Sequence, residues 1–276
     1  MNRTLFLGDL TMLSNISKVE NLKEQYCDDK NLTTRINFNL KYGTNKKGLF
    51  SWLFEKYSFF DNCRILELGC GSGAQWENRI NDLPNNCALT LSDFSNGMVD
   101  IVKEKYSKHK NLSFQQIDIQ NIPIPDETFD FVIANHMLYH VPDLTKALSE
   151  VRRILKTGGI FYSTTNGNAG MRVFLNEAFK YIDPNTEAFT QQWSFSIQNG
   201  LEILSGFFSD VKRFDFENSL SITKTQDLID WIKSTISMGN YSEKDIDCLF
   251  DYFEQIRKLD GAINISKESG LFISTK

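Results

Sequence analysis

Residues 64–73 read RILELGCGSG, an apolar run carrying one acid, Glu67, that breaks into glycines at every second position, Gly69, Gly71 and Gly73. The run reads as a buried strand. The glycines read as a turn in which backbone closely approaches something, because glycine lacks the Cβ that would hold it off. A helix over residues 74–80 is expected next, with free N–H groups at its start. The spacing departs from the GxGxxG of dinucleotide folds, in which a helix N-terminus meets a pyrophosphate. Glu67 at the strand end is an awkward neighbour for pyrophosphate and suits a ligand bearing amines and hydroxyls.

Outward from this turn, strand and helix patterns alternate, the signature of a parallel sheet with right-handed crossovers. Strands are expected at 64–68, 88–92, 112–117, 129–134 and 160–164, with helices over 98–106 and 144–155 and a closing turn at 156–159. A strand near 211–216, paired helical patterns over 225–259, and β-prone stretches at 262–266 and 271–275 complete the chain. Ahead of the turn, GLFSWLFEKYSFF (48–60) predicts an amphipathic helix. No repeat or low-complexity linker divides the 276 residues, so one elaborated domain, 1–276, is expected.

Composition narrows the partners. A net charge of −5 and a pI near 5.4 argue against a duplex nucleic-acid binder, which needs a basic face. No apolar stretch approaches the length of a membrane span. The opening MNRTLFLGDLTML is interrupted by Asp9 and shows no small-residue cleavage site, so no signal peptide is expected. Cys27, Cys63, Cys70, Cys87 and Cys248 lack CxxC spacing, which points to reduced thiols and a cytoplasmic protein. No His/Cys/Asp cluster has metal-ligand spacing, and no metal is expected.

In an open parallel sheet, ligands bind at the carboxyl ends of the strands. Glu67, Asp93, Asp118 and Asn135 fall there in succession. Asp93 could accept both ribose hydroxyls of a nucleoside, or simply cap the following helix. Asp118 could accept from an exocyclic amine with Ile119 packed beside a purine, or be a turn aspartate. A nicotinamide cofactor would use Asp93 equally well.

The segment 64–73 resembles motif I of class I S-adenosylmethionine (SAM)-dependent methyltransferases. Residues 118–162, DIQNIPIPDETFDFVIANHMLYHVPDLTKALSEVRRILKTGGIFY, strongly resemble the core of their small-molecule branch, the methyltransferase 11 group. The likeness covers about 100 residues, 64–164. It implies an α/β, Rossmann-like, doubly wound seven-stranded and mostly parallel sheet with a final antiparallel strand. It also implies an N-terminal helical lid (1–60), a SAM-binding core (61–165), and substrate-side segments at 166–206 and 225–259, the latter a helical insertion before the last strand. SAM would be the cofactor and S-adenosylhomocysteine (SAH) the product. Gly69, Cys70, Gly71 and Gly73 would wrap the methionine part beside Glu67. Asp93 would hold the ribose, with Phe94 and Met98 near the adenosine; Asp118 and Ile119 would address the adenine. Asn135 would contact the methionine part. Residues 35–46, RINFNLKYGTNK, resemble a lid segment in which Arg35 and Tyr42 reach the cofactor's carboxylate.

His136, Tyr139 and His140 follow the fourth strand and are the candidates near the methyl, as general base or as loop architecture. His109, in KEKYSKHK, reads as a solvated helix end. Phe174, Phe179, Tyr181, Phe189, Trp193 and Phe195 could line an apolar pocket or pack on the sheet. The resemblance implies methyl transfer to an O, N or C atom of a small molecule by a monomer or homodimer. An RNA or protein acceptor, a non-catalytic SAM sensor, and a nicotinamide dehydrogenase are the competing readings.

Overall fold

The computed structural model describes residues 28–186, 189–190, 192–235 and 241–276. The opening segment and Cys27 lie outside them. Strands β1 (Arg64–Leu68), β2 (Ala88–Asp93), β3 (Leu112–Gln116), β4 (Phe129–Asn135) and β5 (Leu155–Asn166) are parallel. Strand β6 (Asp210–Asp215) and the last strand, β9 (Ser269–Thr275), complete a seven-stranded sheet in the order β3-β2-β1-β4-β5-β9-β6, with β9 antiparallel to both neighbours. Strands β7 (Asn218–Ile222) and β8 (Ile263–Lys267) pair with each other as a separate two-stranded sheet. Helices are α1 (Lys30–Tyr42), α2 (Leu49–Phe54), α3 (Asn96–Tyr106), α4 (Leu144–Ile154), α5 (Met171–Ile182), α6 (Gly200–Ser205), α7 (Thr225–Lys233) and α8 (Glu243–Asp260).

The central strands are buried on both faces, and their period-two alternation feeds two cores. Leu66, Leu68, Val132, Ala134 and Phe161 meet Ala147, Leu148 and Val151 of α4 on one face. Ile65, Leu89, Leu91, Phe131 and Ile133 meet Leu53 of α2, Trp76, and Val102 and Tyr106 of α3 on the other. A third core lies apart from both. Phe38 and Tyr42 of α1, Leu175 and Phe179 of α5, Leu228 and Ile229 of α7, Leu249 and Phe253 of α8, and the β7–β8 pair bury one another. Tyr42 donates to Asp227 Oδ2 at 2.7 Å, and the Arg35 guanidinium donates to the Ser234 carbonyl at 2.7 Å, so α1 is fastened to α7. This third unit forms a cap.

Several expectations need correction. No α-helix follows the glycine turn; the chain makes short 3-10 turns at Ala74–Trp76 and Ile80–Asp82. Asn78 between them sits at φ 61°, which no helix tolerates, and Gln75 and Trp76 turn their side chains back to Glu67. The amphipathic helix expected over 48–60 is only α2, and residues 156–159 belong to β5 rather than to a closing turn. Strand β7, with Leu220 and Ile222 buried, lay in a stretch given no element from sequence. Among the described residues no helix is long and apolar enough to cross a membrane.

Gly73 illustrates how tightly the turn is packed. At φ 68°, a Cβ there would stand 2.7 Å from Tyr106 Cε2 and 3.0 Å from Val102 Cγ1. Gly73→Ala is therefore expected to destabilise by about 1–3 kcal/mol, lowering the melting midpoint by roughly 3–10 °C. Gly48→Ala, at φ 73° with nothing within 4 Å, carries only the backbone strain and serves as the control in the same thermal scan.

Candidate functional site

A cavity of about 630 Å³ opens where β1, β2, β4 and β5 end, between the sheet and the cap. That volume is typical of a site for a small molecule or cofactor. The glycine turn forms its floor. Gly69 at φ 73° and Gly71 at φ 54° are in the left-handed region; a Cβ on Gly69 would lie 2.9 Å from Met137 Cγ, and one on Gly71 2.7 Å from Leu32 Cδ2 of α1. The cap thus closes directly over the turn. Gly73 does not line the cavity; its missing Cβ makes room for α3, whose Tyr106 hydroxyl donates to the Gly73 carbonyl at 2.9 Å.

Asp93 fixes the turn from the neighbouring strand. Its Oδ2 accepts the Gly71 N–H and its Oδ1 the Ser95 N–H, both at 2.9 Å. Burial raises its carboxyl above the usual range, and these N–H groups oppose the rise. Ser95, not Asp93, caps α3, through Ser95 Oγ and the Met98 amide. Met98 is fully buried and does not line the cavity, whereas Phe94 does. Farther along, Asp118, Ile119 and Gln120 line the same side, with Asp118 Oδ1 accepting the Gln120 N–H at 2.8 Å as an Asx turn.

Glu67 borders the cavity but both its oxygens are engaged, by Gln75 Nε2 at 2.6 Å and by Trp76 Nε1. Burial pushes its carboxyl up to about 7, against those two donors. Gln75 also accepts from Asn135 Nδ2 at 2.8 Å, and Asn135 Nδ2 reaches the Tyr57 hydroxyl at 2.9 Å. This leaves Asn135 Oδ1 buried in the wall with no partner among the described residues. Cys70 lines the turn, and burial, with Glu67 and Asp93 nearby, drives its thiol well above its ordinary value, which suits packing rather than nucleophilic chemistry.

The residues after β4 reach the cavity as the sequence suggested. His136 occupies φ 52°, with its N–H donating to the Thr164 carbonyl and hydroxyl at 3.0 and 3.1 Å. His140 packs against Tyr139, ring centroids 4.6 Å apart, and Tyr139 against Trp193 at 4.6 Å. Burial lowers both imidazoles to about 4, helped by Lys267 at His136 and by Arg35 at His140. Both are neutral near pH 7. Arg35 lines the roof, whereas Tyr42 is turned into the cap core towards Phe38 and Asp227 and does not reach the cavity. Among the six aromatics of 166–199 singled out, Phe189 and Trp193 line the cavity; Phe179 and Phe195 are buried in the cores, Phe174 packs against the cap core and Tyr181 is exposed. Sequence reasoning missed Arg172 and Lys267, both cavity-lining, because neither sits in a motif; only Lys267's place at the end of a Leu/Ile-alternating strand pair could have marked it.

Comparison with known proteins places this geometry. The profile of the methyltransferase domain family, methyltransferase 11, matches residues 66–163. Those residues are a methyltransferase domain. The chain is 36% identical over 106 aligned residues to the ubiquinone/menaquinone biosynthesis C-methyltransferase UbiE of Rickettsia akari, covering 36% of this chain and 43% of that one. A sterol 24-C-methyltransferase, ERG6B of Gibberella zeae, is 34% identical over 99 residues, 36% of this chain and 26% of its own. The match therefore spans less than half of either relative. The solved structure of the [4+2]-cyclase SpnF shares the fold, with a TM-score of 0.58 at 15% identity over 92% of this chain and 94% of that one. The family implies SAM as cofactor, and the cavity's lining is compatible with it: Gly69 and Gly71 bring bare backbone to the floor, and Asn135 Oδ1 is an unspent acceptor in the wall.

The shifted groups give a pH signature in the apo protein. Each imidazole binds fewer protons folded than unfolded between about pH 4 and 6.5, so stability falls as pH drops through that window, by about 3 kcal/mol for each when fully developed. Glu67, raised to about 7, acts oppositely: its contribution is present at low pH and is lost as pH rises through 7. Asp93, raised likewise by burial, acts in the same sense as Glu67, but the two imidazoles outweigh both carboxyls. Melting midpoints between pH 5 and 6.5 are expected to rise with pH in the native protein and to fall with pH in H136N/H140N. An unchanged slope in the double variant would contradict the assignment.

Proposed function

We propose that this chain is a SAM-dependent methyltransferase acting on a small molecule, by in-line transfer to an O, N or C atom, in the cytoplasm. The observation that carries the reading is the Asp93 carboxylate, tied by one oxygen to the glycine turn and by the other to Ser95, at the edge of a cavity too long for the turn alone. Each oxygen keeps a lone pair for a ribose hydroxyl. Phe94 and Ile119 offer apolar walls to a purine, and Asp118 an acceptor for its amine. The amino-acid end lies along Gly69–Gly71, with Asn135 Oδ1 available to a cationic group. The cofactor, when bound, supplies a methyl already activated on a sulfonium.

The protein's own contribution is alignment and exclusion of water. Positioning of this kind lowers a barrier by roughly 7–11 kcal/mol in favourable intramolecular cases. α1 roofs the turn through Leu32, and α5 and α7 supply Met171, Leu175 and Trp231 to the acceptor half. His136, neutral and at the end of β4, can take a proton from an acceptor that loses one on attack, which contributes about 10²–10⁴-fold where it is needed. The relatives named for C-methylation support a small apolar acceptor. The [4+2]-cyclase with this fold shows why the transfer itself must be measured.

Incubation with methyl-labelled SAM and a cell extract tests the activity directly. Label in a low-molecular-mass product is expected; label only in RNA or protein, or none at all, overturns the reading. Asp93→Ala is expected to weaken SAH at least tenfold in calorimetry, since two hydrogen bonds to a charged acceptor are lost. Unchanged affinity would remove Asp93 from the site.

A further inference from the structure

Charge is divided along the cavity. The acids Glu67, Asp93 and Asp118 border the half that ends at β1, β2 and β3, while Arg35, Arg172 and Lys267 border the half beneath the cap. Glu268 also lies there, but its Oε2 accepts from the Ala169 N–H at 3.1 Å and from Gln198 Nε2 at 2.9 Å.

Lys267 is the informative group. It ends β8, and its Nζ hydrogen-bonds Asn39 Oδ1 of α1, a neutral acceptor. Among the described residues no carboxylate lies within 4.0 Å of that ammonium. Charges drawn out of water are ordinarily paired, and this half-buried ammonium is held by an amide, an unusual arrangement. Its environment holds it down at about 8, still mostly charged at neutral pH, and its field reaches His136. Arg172 is nearby: α5 starts where Gly170 packs on Ser266, the residue before Lys267. The Arg172 guanidinium stands 4.7 Å from the Trp193 ring centroid. Trp193 Nε1–H is itself buried with no partner among the described residues. Lys267, Arg172 and Trp193 line the same cavity as the apolar Met171, Leu175 and Phe189.

We propose that the methyl acceptor is an anionic amphiphile, an apolar or aromatic small molecule whose carboxylate or phosphate is bound by Lys267, with Arg172 and Trp193 Nε1–H beside it. The proposal rests on the methyltransferase reading of the same cavity. It gives the acceptor a direction: oxyanion towards β8, apolar body against α5, and the reacting atom towards His136 and the cofactor half. Sequence charge alone, net −5, gives no hint of it.

The test uses the full chain saturated with SAH and three probes of one shape, 1-naphthoate, 1-naphthyl phosphate and neutral 1-naphthamide, each titrated calorimetrically. At least one anion is expected to bind tenfold or more tighter than the amide, and the two anions distinguish carboxylate from phosphate. Lys267→Met should erase that margin and Lys267→Arg should keep most of it. Asn39→Ala, which breaks the contact to α1 while leaving the ammonium, should change anion affinity less than threefold. The proposal is overturned if the amide binds as tightly as both anions, if none of the three binds, or if Asn39→Ala loses as much as Lys267→Met. The native-protein comparison stands even if a variant fails to fold. SAH titrated first separates the two levels: no SAH binding sinks the methyltransferase reading and this proposal with it, whereas SAH binding without anion preference sinks only the proposal.

Discussion

The hydrogen bond from Gly71 N–H to the Asp93 carboxylate holds the site together. It joins the end of β1 to the end of β2 across a turn whose backbone enters the left-handed region at alternate residues, Gly69, Gly71 and Gly73. Glu67 secures the same turn from the other side through Gln75 and Trp76, and Gln75 passes the constraint on to Asn135 at the end of β4. Three strand ends are thus wired into one rigid floor. Polar groups used this way are satisfied mostly by the protein, and those that remain unspent, such as Asn135 Oδ1, mark where a ligand's polar atoms belong.

The cap supplies what the sheet cannot. Its elements come from both ends of the described chain, α1 ahead of β1 and the β7–α7–α8–β8 excursion between β6 and β9, and they share a hydrophobic core separate from the sheet's two. Because α1 is bonded to α7 and, through Asn39, to Lys267 of β8 rather than to the seven-stranded sheet, the roof is a unit, touching the floor through Leu32. A roof of this kind excludes water from the crevice and brings its own charges to the acceptor side, independent of the acids that the strand ends contribute.

Much of this was legible in the sequence, and the reasons are physical. Fully buried parallel strands leave unbroken apolar runs, so β1, β2, β4 and the crossovers were visible, as were Asp93, Asp118 and Asn135 at their ends. The helix expected after Gly73 was not there because its would-be first turn is spent on a carboxylate, a tertiary demand that no local propensity announces. Gly73 and Met98 carry the family spacing yet serve the packing of α3, and Tyr42 serves the cap; motif position alone does not tell which way a side chain turns. Strand β7 hid because NSLSI is short and polar on one face. Lys267 and Arg172 were invisible, since they come to line one cavity only when β8 meets α5.

Co-crystallisation with SAH is the most direct measurement. If the glycine floor and Asp93 form the cofactor site, density runs along Gly69–Gly71, places both ribose hydroxyls on Asp93, and ends with the purine beside Ile119. Density at any other place on the chain, or a crevice that stays closed by side chains at saturating SAH, would contradict it.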